Sequence, residues 1–469
     1  MKTLQLATLA LGLGMTLSAQ APDFTPPTPL IGALLKNDTS TVKRLLAEGA
    51  NPNEGQFLIF PPVFLPVIRP NLDLLRMMVA HGADPRVADK SGSTTLMWAA
   101  FNENGDADLV EELLKMGVDP NAQNLKGETA LSWAMQRGYT PVVARLEKAG
   151  ASDTAAVKSA VERAIGLLQK SGPQFVKVSG CTSCHNQSLP QMAINEARSR
   201  GLAVDEQISQ QQVKAVIAMF KPMHDLMMEG TDKFPDPPIS VSYSLLGLAA
   251  ERYHRDSTTD AMAHLIASKQ LPDGSFRAIA ARPPLESSDF SATALSLRAL
   301  QIYGEQDAET RVASAREWLR TAQPRTSEDR AMRLMGMAWG NAPSDEVAKA
   351  AQEVIAHQNP DGGWSQLPGL ESDAYATGQG MAALKWAGQV EIGDPVWRRG
   401  VSFLLRTQLA DGSWLVHSRT FPFQPYKESG FPHGKDQWIS ASGTSWAAAV
   451  LSMSMAEKPV VSASVASGN

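Results

Sequence analysis

Three copies of one short pattern decide the fold of the C-terminal half: KQLPDGSF at 269–276, HQNPDGGW at 357–364 and TQLADGSW at 407–414. Each copy contains a glutamine, two further residues, Asp-Gly, a small residue and an aromatic residue. Each also follows a run with apolar residues at helical spacing. Asp-Gly suits a turn that ends a helix, because glycine adopts left-handed backbone angles without strain. The pattern therefore predicts helices that end in tight turns, with each aromatic residue packing back on them.

This pattern resembles the QW repeat of squalene cyclases and related prenyltransferase-repeat proteins. The resemblance covers 235–457 and implies an α/α toroid, in which two rings of helices are concentric. A degenerate copy at 318–340 keeps Trp318 and Gln323 but lacks the Asp-Gly turn. The toroid is thus expected to fill the C-terminal half of the chain, with room for an apolar ligand inside it.

Cyclase chemistry is an alternative that the resemblance raises. Bacterial cyclases of that family protonate a terpene with an Asp-x-Asp-Asp motif, and LESDAYATG at 370–378 keeps Glu371 and Asp373 but has Ala374 in place of the third acid. The feature Asp-x-x-Ala-Thr recurs at Asp289, and a recurring feature favours architecture over catalysis. We therefore interpret Asp289 and Asp373 as helix N-caps. An enzyme similar to a terpene cyclase, with Asp373 as its acid, remains the alternative.

A second period occupies the N-terminal third. AEGANPN at 47–53, AHGADPR at 80–86, KMGVDPN at 115–121 and KAGASDT at 148–154 place glycines at 49, 82, 117 and 150, in steps of 33, 35 and 33 residues. This period resembles the ankyrin repeat. The resemblance covers 27–153 and implies a stack that binds a protein partner. The segment FLIFPPVFLPVIRP at 57–70 holds four prolines, so its repeat cannot form a regular first helix.

The chain has only two cysteines, and both fall in SGCTSCHNQ at 179–187. A structural disulfide across so small a loop would stabilise little of a long chain. Three other uses fit the residue types: a redox dithiol, part of a zinc site, or a haem attachment point. Helical patterns on both sides do not favour a thioredoxin-like context for a dithiol, and no second Cys-x-x-Cys is present to complete a zinc site.

Cys-x-x-Cys-His resembles the haem attachment motif of c-type cytochromes. The resemblance implies covalent haem c on Cys181 and Cys184, with His185 as the proximal iron ligand. A zinc site or a dithiol stays open beside it. The sixth ligand is not determined by the motif, and the candidates are Met192, Met219, Met223 and His224. Methionines at spacing four are more often part of a hydrophobic core than ligands.

Composition and termini suggest an exported globular protein. Residues 1–21 have a basic start at Lys2, a short apolar stretch and small residues for cleavage, which predicts a signal peptide and a periplasmic or secreted location. No later segment is long and apolar enough to span a membrane. The 43 basic and 48 acidic residues give a net charge of −5 without a basic run, so nucleic acid is not an expected partner.

The sequence thus predicts an all-α protein in consecutive parts: a signal peptide (1–21), ankyrin repeats (27–153), a helical segment with the haem motif (155–234), a squalene-cyclase-like toroid (235–457) and a disordered tail (458–469). The leading functional hypothesis is a periplasmic haem c protein that transfers or senses electrons and docks a redox or other protein partner through its repeats and toroid. The alternatives are a cyclase-like enzyme and a repeat scaffold without redox function.

Overall fold

The protein is all-α in the part that the computed structural model describes, which comprises residues 26–102, 106–136, 141–280, 282–421 and 427–457. Within these ranges there are isolated β-bridges but no strands. The predicted fold class, an ankyrin repeat stack followed by an α/α toroid, is confirmed. The signal peptide predicted over 1–21 and the tail predicted over 458–469 lie outside the described residues.

Short paired helices with their own hydrophobic core form the ankyrin stack. In chain order they are α1 (Pro29–Leu35), α2 (Thr39–Ala47), α3 (Leu65–Ile68), α4 (Leu72–Ala80), α5 (Thr95–Phe101), α6 (Ala107–Lys115), α7 (Ala130–Gln136) and α8 (Pro141–Lys148). The glycines at the predicted period all have positive φ, namely Gly49, Gly82, Gly117 and Gly150. Each therefore ends a helix in the left-handed conformation that other residues adopt only with strain.

The second repeat has an irregular first helix, as its prolines predicted. A 3₁₀ turn at Pro62–Phe64 runs into α3, which is a single helical turn. Val63, Phe64 and Val67 are nonetheless buried. The segment therefore supplies the apolar side chains of a repeat although its backbone cannot form a regular helix.

The remaining helices form the toroid. In chain order they are α9 (Thr154–Ser179), α10 (Leu189–Ser199), α11 (Glu206–Phe220), α12 (His224–Met228), α13 (Pro237–Ala250), α14 (Ser257–Ala267), α15 (Asp289–Tyr303), α16 (Ala308–Thr321), α17 (Ser327–Trp339), α18 (Ser344–Ile355), α19 (Ala374–Trp386), α20 (Pro395–Thr407) and α21 (Gln437–Met453). The inner ring consists of α10, α13, α15, α17, α19 and α21, each packed against the next, and α10 contacts both α21 and α13. The ring of inner helices is therefore closed.

The QW pattern connects the outer helices around the ring. Gln358 donates to Gly362 O at 2.9 Å and to Val396 O, at the start of the next outer helix, at 2.8 Å. Gln408 makes the same pair of bonds, to Gly412 O at 3.0 Å and to Ala160 O at 2.8 Å. Ala160 belongs to α9, so α9 follows α20 in the outer ring.

The Asp-Gly turns also lie against the next outer helix. A Cβ added to Gly412 would lie 2.7 Å from Arg163 Cβ of α9, and one added to Gly362 would lie 2.5 Å from Arg399 O of α20. Only glycine fits at these contacts. The pattern that decides the fold thus acts through close approach of turn and helix as well as through its hydrogen bonds.

The helices of segment 155–234 belong to the toroid. The sequence-based division treated this segment as a part between the stack and the toroid, but the structure packs it into the same hydrophobic core as 235–457. Its helices α9 and α10 are the outer and inner partners that fill the gap between α21 and α13. The Cys-x-x-Cys-His motif therefore lies in the wall of the ring.

The two aspartates interpreted as N-caps behave differently. Asp373 is the N-cap of α19, with its Oδ1 accepting from Ala376 N at 2.9 Å, so that prediction is confirmed. For Asp289 the prediction is wrong by one position, because Ser288 is the N-cap of α15. Asp289 instead accepts from Ala278 N at 2.9 Å, which holds the preceding loop on the helix.

The stack joins the toroid through a lateral contact as well as through the chain. Helix α7 packs against α20, and Glu147 forms an ion pair with Arg398. Among the helices of the described ranges, none combines the length and the apolar character needed to cross a bilayer.

Candidate functional site

The second half of the Cys-x-x-Cys-His motif folds as a π-helical turn over Cys184–Ser188, which leads directly into α10. Ser183 caps this turn, with its Oγ accepting from Asn186 N at 3.2 Å. Single π turns often mark functional sites, because the wider turn points side chains where a regular helix would not. Cys181 lies just before the turn, beyond the left-handed Gly180 that ends α9.

Two glycines give the π turn its place between helices. A Cβ on Gly172 of α9 would lie 3.1 Å from Asn186 O, and one on Gly247 of α13 would lie 2.9 Å from Ser188 Cα. Gln187 crosses the same gap, donating to Gly172 O at 3.0 Å and to Gln212 Oε1 of α11 at 3.0 Å. The turn is therefore fixed on several sides by helices of the toroid.

The two cysteines are free thiols in unlike surroundings. Cys181 is half-buried, whereas Cys184 is buried with its Sγ 3.5 Å from Glu286 Oε1. Burial, followed by the charge of Glu286, raises the pKa of the Cys184 thiol well above its usual range. A catalytic dithiol needs a lowered thiol pKa, so this environment does not suit thiol–disulfide exchange.

The imidazole of His185 is held between aromatic rings. It stacks on Trp438 at a centroid distance of 5.1 Å and meets Phe175 edge-on at 5.4 Å. Burial is the main cause that lowers the pKa of His185 to about 3, with the charge of Arg282 adding to it. The ring is therefore neutral at physiological pH, which is the form that ligates a metal.

Asn186 and Ser183 contact the Nδ1 side of the His185 imidazole. Asn186 Nδ2 lies 2.7 Å from His185 Nδ1, while the buried Asn186 Oδ1 has no hydrogen-bond partner among the described residues. An amide N–H donates, so in this contact Asn186 supplies a hydrogen and Nδ1 accepts it. The Ser183 hydroxyl lies 3.2 Å from the same nitrogen, so the orientation of the imidazole is fixed from within the motif.

A cavity of about 640 Å³ adjoins His185. This volume lies within the range of small-molecule sites, roughly 300–1,000 Å³. Apolar, cationic and anionic side chains all line it: Pro283, Leu285, Phe421, Trp438 and Ile439; Arg282 and Lys435; Glu286 and Asp436; with His185, His417, Ser418 and Thr420 completing the wall. These residues come from the π turn and from the loops before α15 and α21, so the cavity lies at the ends of inner helices where loops converge.

The candidates for a sixth iron ligand lie away from this cavity. Met192 of α10 and Met223 pack against the toroid core. Met219 of α11 accepts from Thr182 Oγ1 at 2.9 Å, so its sulfur supports the motif loop. His224 is half-exposed, with Nδ1 2.8 Å from Asp225 Oδ1. Of the predicted haem residues, His185 lies on the cavity wall, and Cys184 lies behind it against Glu286. Cys181 and these four candidates are not among the lining residues.

Sequence reasoning missed several residues of the site. His417 and Arg282 line the cavity although they are 97 residues or more from His185 in the chain. The local signal for His417 is that it follows the QW copy at 407–414 by three residues, in the loop before the last inner helix. Distant loops that meet at one end of a ring carry no shared spacing in the sequence.

Buried acids continue from the cavity into the toroid. Behind Glu286 and Cys184 lie the buried phenols of Tyr243 and Tyr375 and the carboxyl of Glu328. Ser291 Oγ donates to Glu328 Oε1 at 2.6 Å, and burial raises the pKa of Glu328 to about 7. Asp373, the acid of the cyclase alternative, accepts from Gln366 Nε2 at 2.9 Å.

An aromatic row marks the ankyrin stack. Trp98 of α5 meets Phe60 at 5.0 Å, and Trp133 of α7 lies 5.4 Å from both Trp98 and Phe101. The indole nitrogens of the two tryptophans donate to Asp89 and Glu128. All four rings are only partly buried, so the row offers a rigid apolar surface for contact.

Comparisons with known proteins agree with this division. Residues 63–156 match the sequence model of ankyrin repeats in three copies. Those residues are ankyrin repeats. A lanosterol synthase of Candida albicans is 34% identical over 80 residues, which is 15% of this chain and 11% of that protein. A human transient receptor potential cation channel, subfamily A member 1, is 33% identical over 81 residues, 17% of this chain and 7% of the channel.

Both relatives are matched over only a small share of their own length, so these comparisons concern parts of the fold. The lanosterol synthase match supports the cyclase-like part, and the ankyrin match supports the stack. In the described part of the chain, no three His, Cys, Asp or Glu side chains are grouped as a metal-holding cluster. A haem iron needs only axial protein ligands, because the porphyrin supplies the others.

Proposed function

We propose that the protein is an exported c-type haem protein that transfers or senses electrons, with haem c attached through Cys181 and Cys184. The observation that carries the proposal is the position of His185 on the wall of a 640 Å³ cavity directly after both cysteines. Haem c supplies one-electron chemistry when bound. His185 would be its proximal ligand.

The residues of the cavity fit such a group. Trp438, Leu285 and Ile439 offer apolar contacts for a porphyrin plane, and Arg282 and Lys435 offer cations for its carboxylates. Arg282 also forms a 2.9 Å ion pair with Glu286, which orients it on the wall. The Asn186 amide and the Ser183 hydroxyl hold the Nδ1 side of the His185 ring. The donor set thus suits haem better than tetrahedral zinc or a reactive dithiol.

Each side chain has a definite task in this proposal. Trp438 and Phe175 hold the imidazole plane of His185 and would keep this ligand in one orientation. A rigid ligand reduces the reorganisation that accompanies electron transfer. The ankyrin stack binds a protein partner, which in this proposal is the electron donor or acceptor.

The test is a pyridine haemochrome spectrum of the full chain exported from cells that carry the cytochrome c maturation machinery. We expect a haem c spectrum that survives acid–acetone extraction and is lost in Cys181→Ala/Cys184→Ala. A His185→Ala variant should keep the covalent haem but lose its native coordination spectrum. Folded, exported protein without covalent haem would overturn the proposal.

A scaffold without redox function is the second candidate, favoured by the partly exposed rings of Trp98 and Trp133. Such a protein would bind its partner through the stack whether or not the cysteines are present. Binding to an array of defined peptides, compared between wild type and Trp98→Ala/Trp133→Ala, tests it. Equal binding by both proteins would rule out the aromatic row as the contact surface.

A further inference from the structure

The cavity wall contains a second histidine that faces the same space as His185. Among the cavity-lining residues, His185 and His417 are the imidazoles, and no methionine is present. Methionine, histidine and cysteine are the usual axial ligands of haem iron in proteins. A sixth ligand must reach the space that holds the iron, and the wall offers His417 for this purpose.

His417 is already oriented like a metal ligand. Its Nδ1 lies 2.9 Å from Asp436 Oδ2, while Asp436 Oδ1 accepts from Ser418 N at 2.9 Å. The carboxylate is therefore fixed by the backbone and in turn fixes the imidazole. Metal-bound histidines commonly pair one ring nitrogen with a carboxylate in this way, which leaves the other nitrogen for the metal. Here Nε2 is that nitrogen.

One short stretch of chain positions both histidines. Asp436, which holds His417, ends the 3₁₀ turn Gly434–Asp436, and Trp438, which stacks on His185, lies two residues later in α21. The start of α21 is thus the common support of the two imidazoles. The start of α21 would therefore hold both imidazoles beside a group bound in the cavity.

We infer that His417 is the sixth ligand of the iron, through Nε2, so that the haem is held by two histidines. This inference rests on the proposed haem c function. It replaces the four candidates drawn from the sequence, whose side chains lie in the core, in the motif loop or on the surface. Asp436 is a positioning residue, because it acts through His417.

The experiment compares the haem-loaded full chain of wild type, His417→Ala and His224→Ala. His224 is the matched control, because it also pairs with an aspartate through Nδ1 but lies outside the cavity wall. The His417 side chain is 80% exposed, so its removal should not affect folding. Absorption and electron paramagnetic resonance report the spin state of the ferric iron, and carbon monoxide reports an open position on the ferrous iron.

We expect wild type and His224→Ala to be low-spin and to resist carbon monoxide. His417→Ala should become high-spin and bind carbon monoxide, and added imidazole should restore the low-spin spectrum. Asp436→Asn should keep six ligands but lose some of its resistance to carbon monoxide. A low-spin His417→Ala protein that still resists carbon monoxide would overturn the ligand assignment alone. Wild type without covalent haem would overturn the proposed function as well, and the haemochrome assay distinguishes the two results.

Discussion

Adding one methyl group at Gly247 should displace the π turn that carries the motif. In Gly247→Ala the new Cβ would lie 2.9 Å from Ser188 Cα and 2.5 Å from Gln191 Oε1. The side-chain amide of Gln191 can rotate away. Ser188 is the last residue of the π turn and the N-cap of α10, so relieving its contact requires the backbone itself to move. Overpacking of this kind costs roughly 1–3 kcal/mol, and contact with backbone places it in the upper half of that range.

Alanine also gains helix propensity relative to glycine, by about 0.5–1 kcal/mol. The net loss expected for Gly247→Ala is therefore about 1–2.5 kcal/mol. Gly166 of α9 is the matched control, because it is exposed and a Cβ there would meet nothing within 4 Å. Gly166→Ala should stabilise the protein by about 0.4–1 kcal/mol, since it makes the same helical substitution without a clash.

Urea unfolding followed by far-ultraviolet circular dichroism measures both effects as shifts of the midpoint. Haem incorporation during export gives a second readout, because displacement of Ser188 would also move His185. Equal midpoints for Gly247→Ala and Gly166→Ala would refute the close packing of the turn on α13. A destabilised Gly247→Ala with normal haem content would show that the motif tolerates the shift.

Substitutions at Glu328 and Asp373 test the acids of the toroid. The folded protein keeps the proton of Glu328 up to about pH 7, whereas a free glutamate releases it near 4.5, so the free energy of unfolding should fall as pH rises between these values. Glu328→Gln has no proton to lose in this range, so its free energy of unfolding should fall by roughly 3 kcal/mol less than that of the wild type. Equal slopes of the free energy of unfolding against pH for both proteins from pH 4 to 8 would contradict this prediction. Asp373→Ala should cost about 0.5–2 kcal/mol through loss of the N-cap, while Asp373→Asn should keep the cap. A cyclisation activity lost in Asp373→Asn but kept in Asp289→Asn would instead favour the cyclase alternative.

The sequence predicted those parts of the fold that repeat. Glycines at steps of 33 to 35 residues identified the stack, because each must end a helix in the left-handed conformation. Three QW copies identified the toroid, because Gln358 and its equivalents make the same two hydrogen bonds in each copy. Even the irregular α3 followed from its prolines, which exclude a helix by sterics.

The sequence did not predict what depends on closure of the ring. Helices α9 and α10 carry no complete QW copy of their own. Their place in the toroid became visible in the structure, where Gln408 donates a hydrogen bond to Ala160 O of α9. Met219, Met223 and Met227, which are spaced four residues apart, pack on the hydrophobic core of the toroid, and Met227 is fully buried. The cavity could not be predicted, because its residues come from loops whose meeting is set by the ring as a whole.

Helix α9 has a mechanical consequence. It is 26 residues long, or about 39 Å, and runs from the last ankyrin repeat to within two residues of Cys181. Its two ends therefore lie at the ankyrin stack and at the cavity loop, and it packs along α21 between them. Because α9 is held against α21 and α7 is held against α20, the last repeat and the motif keep a fixed separation.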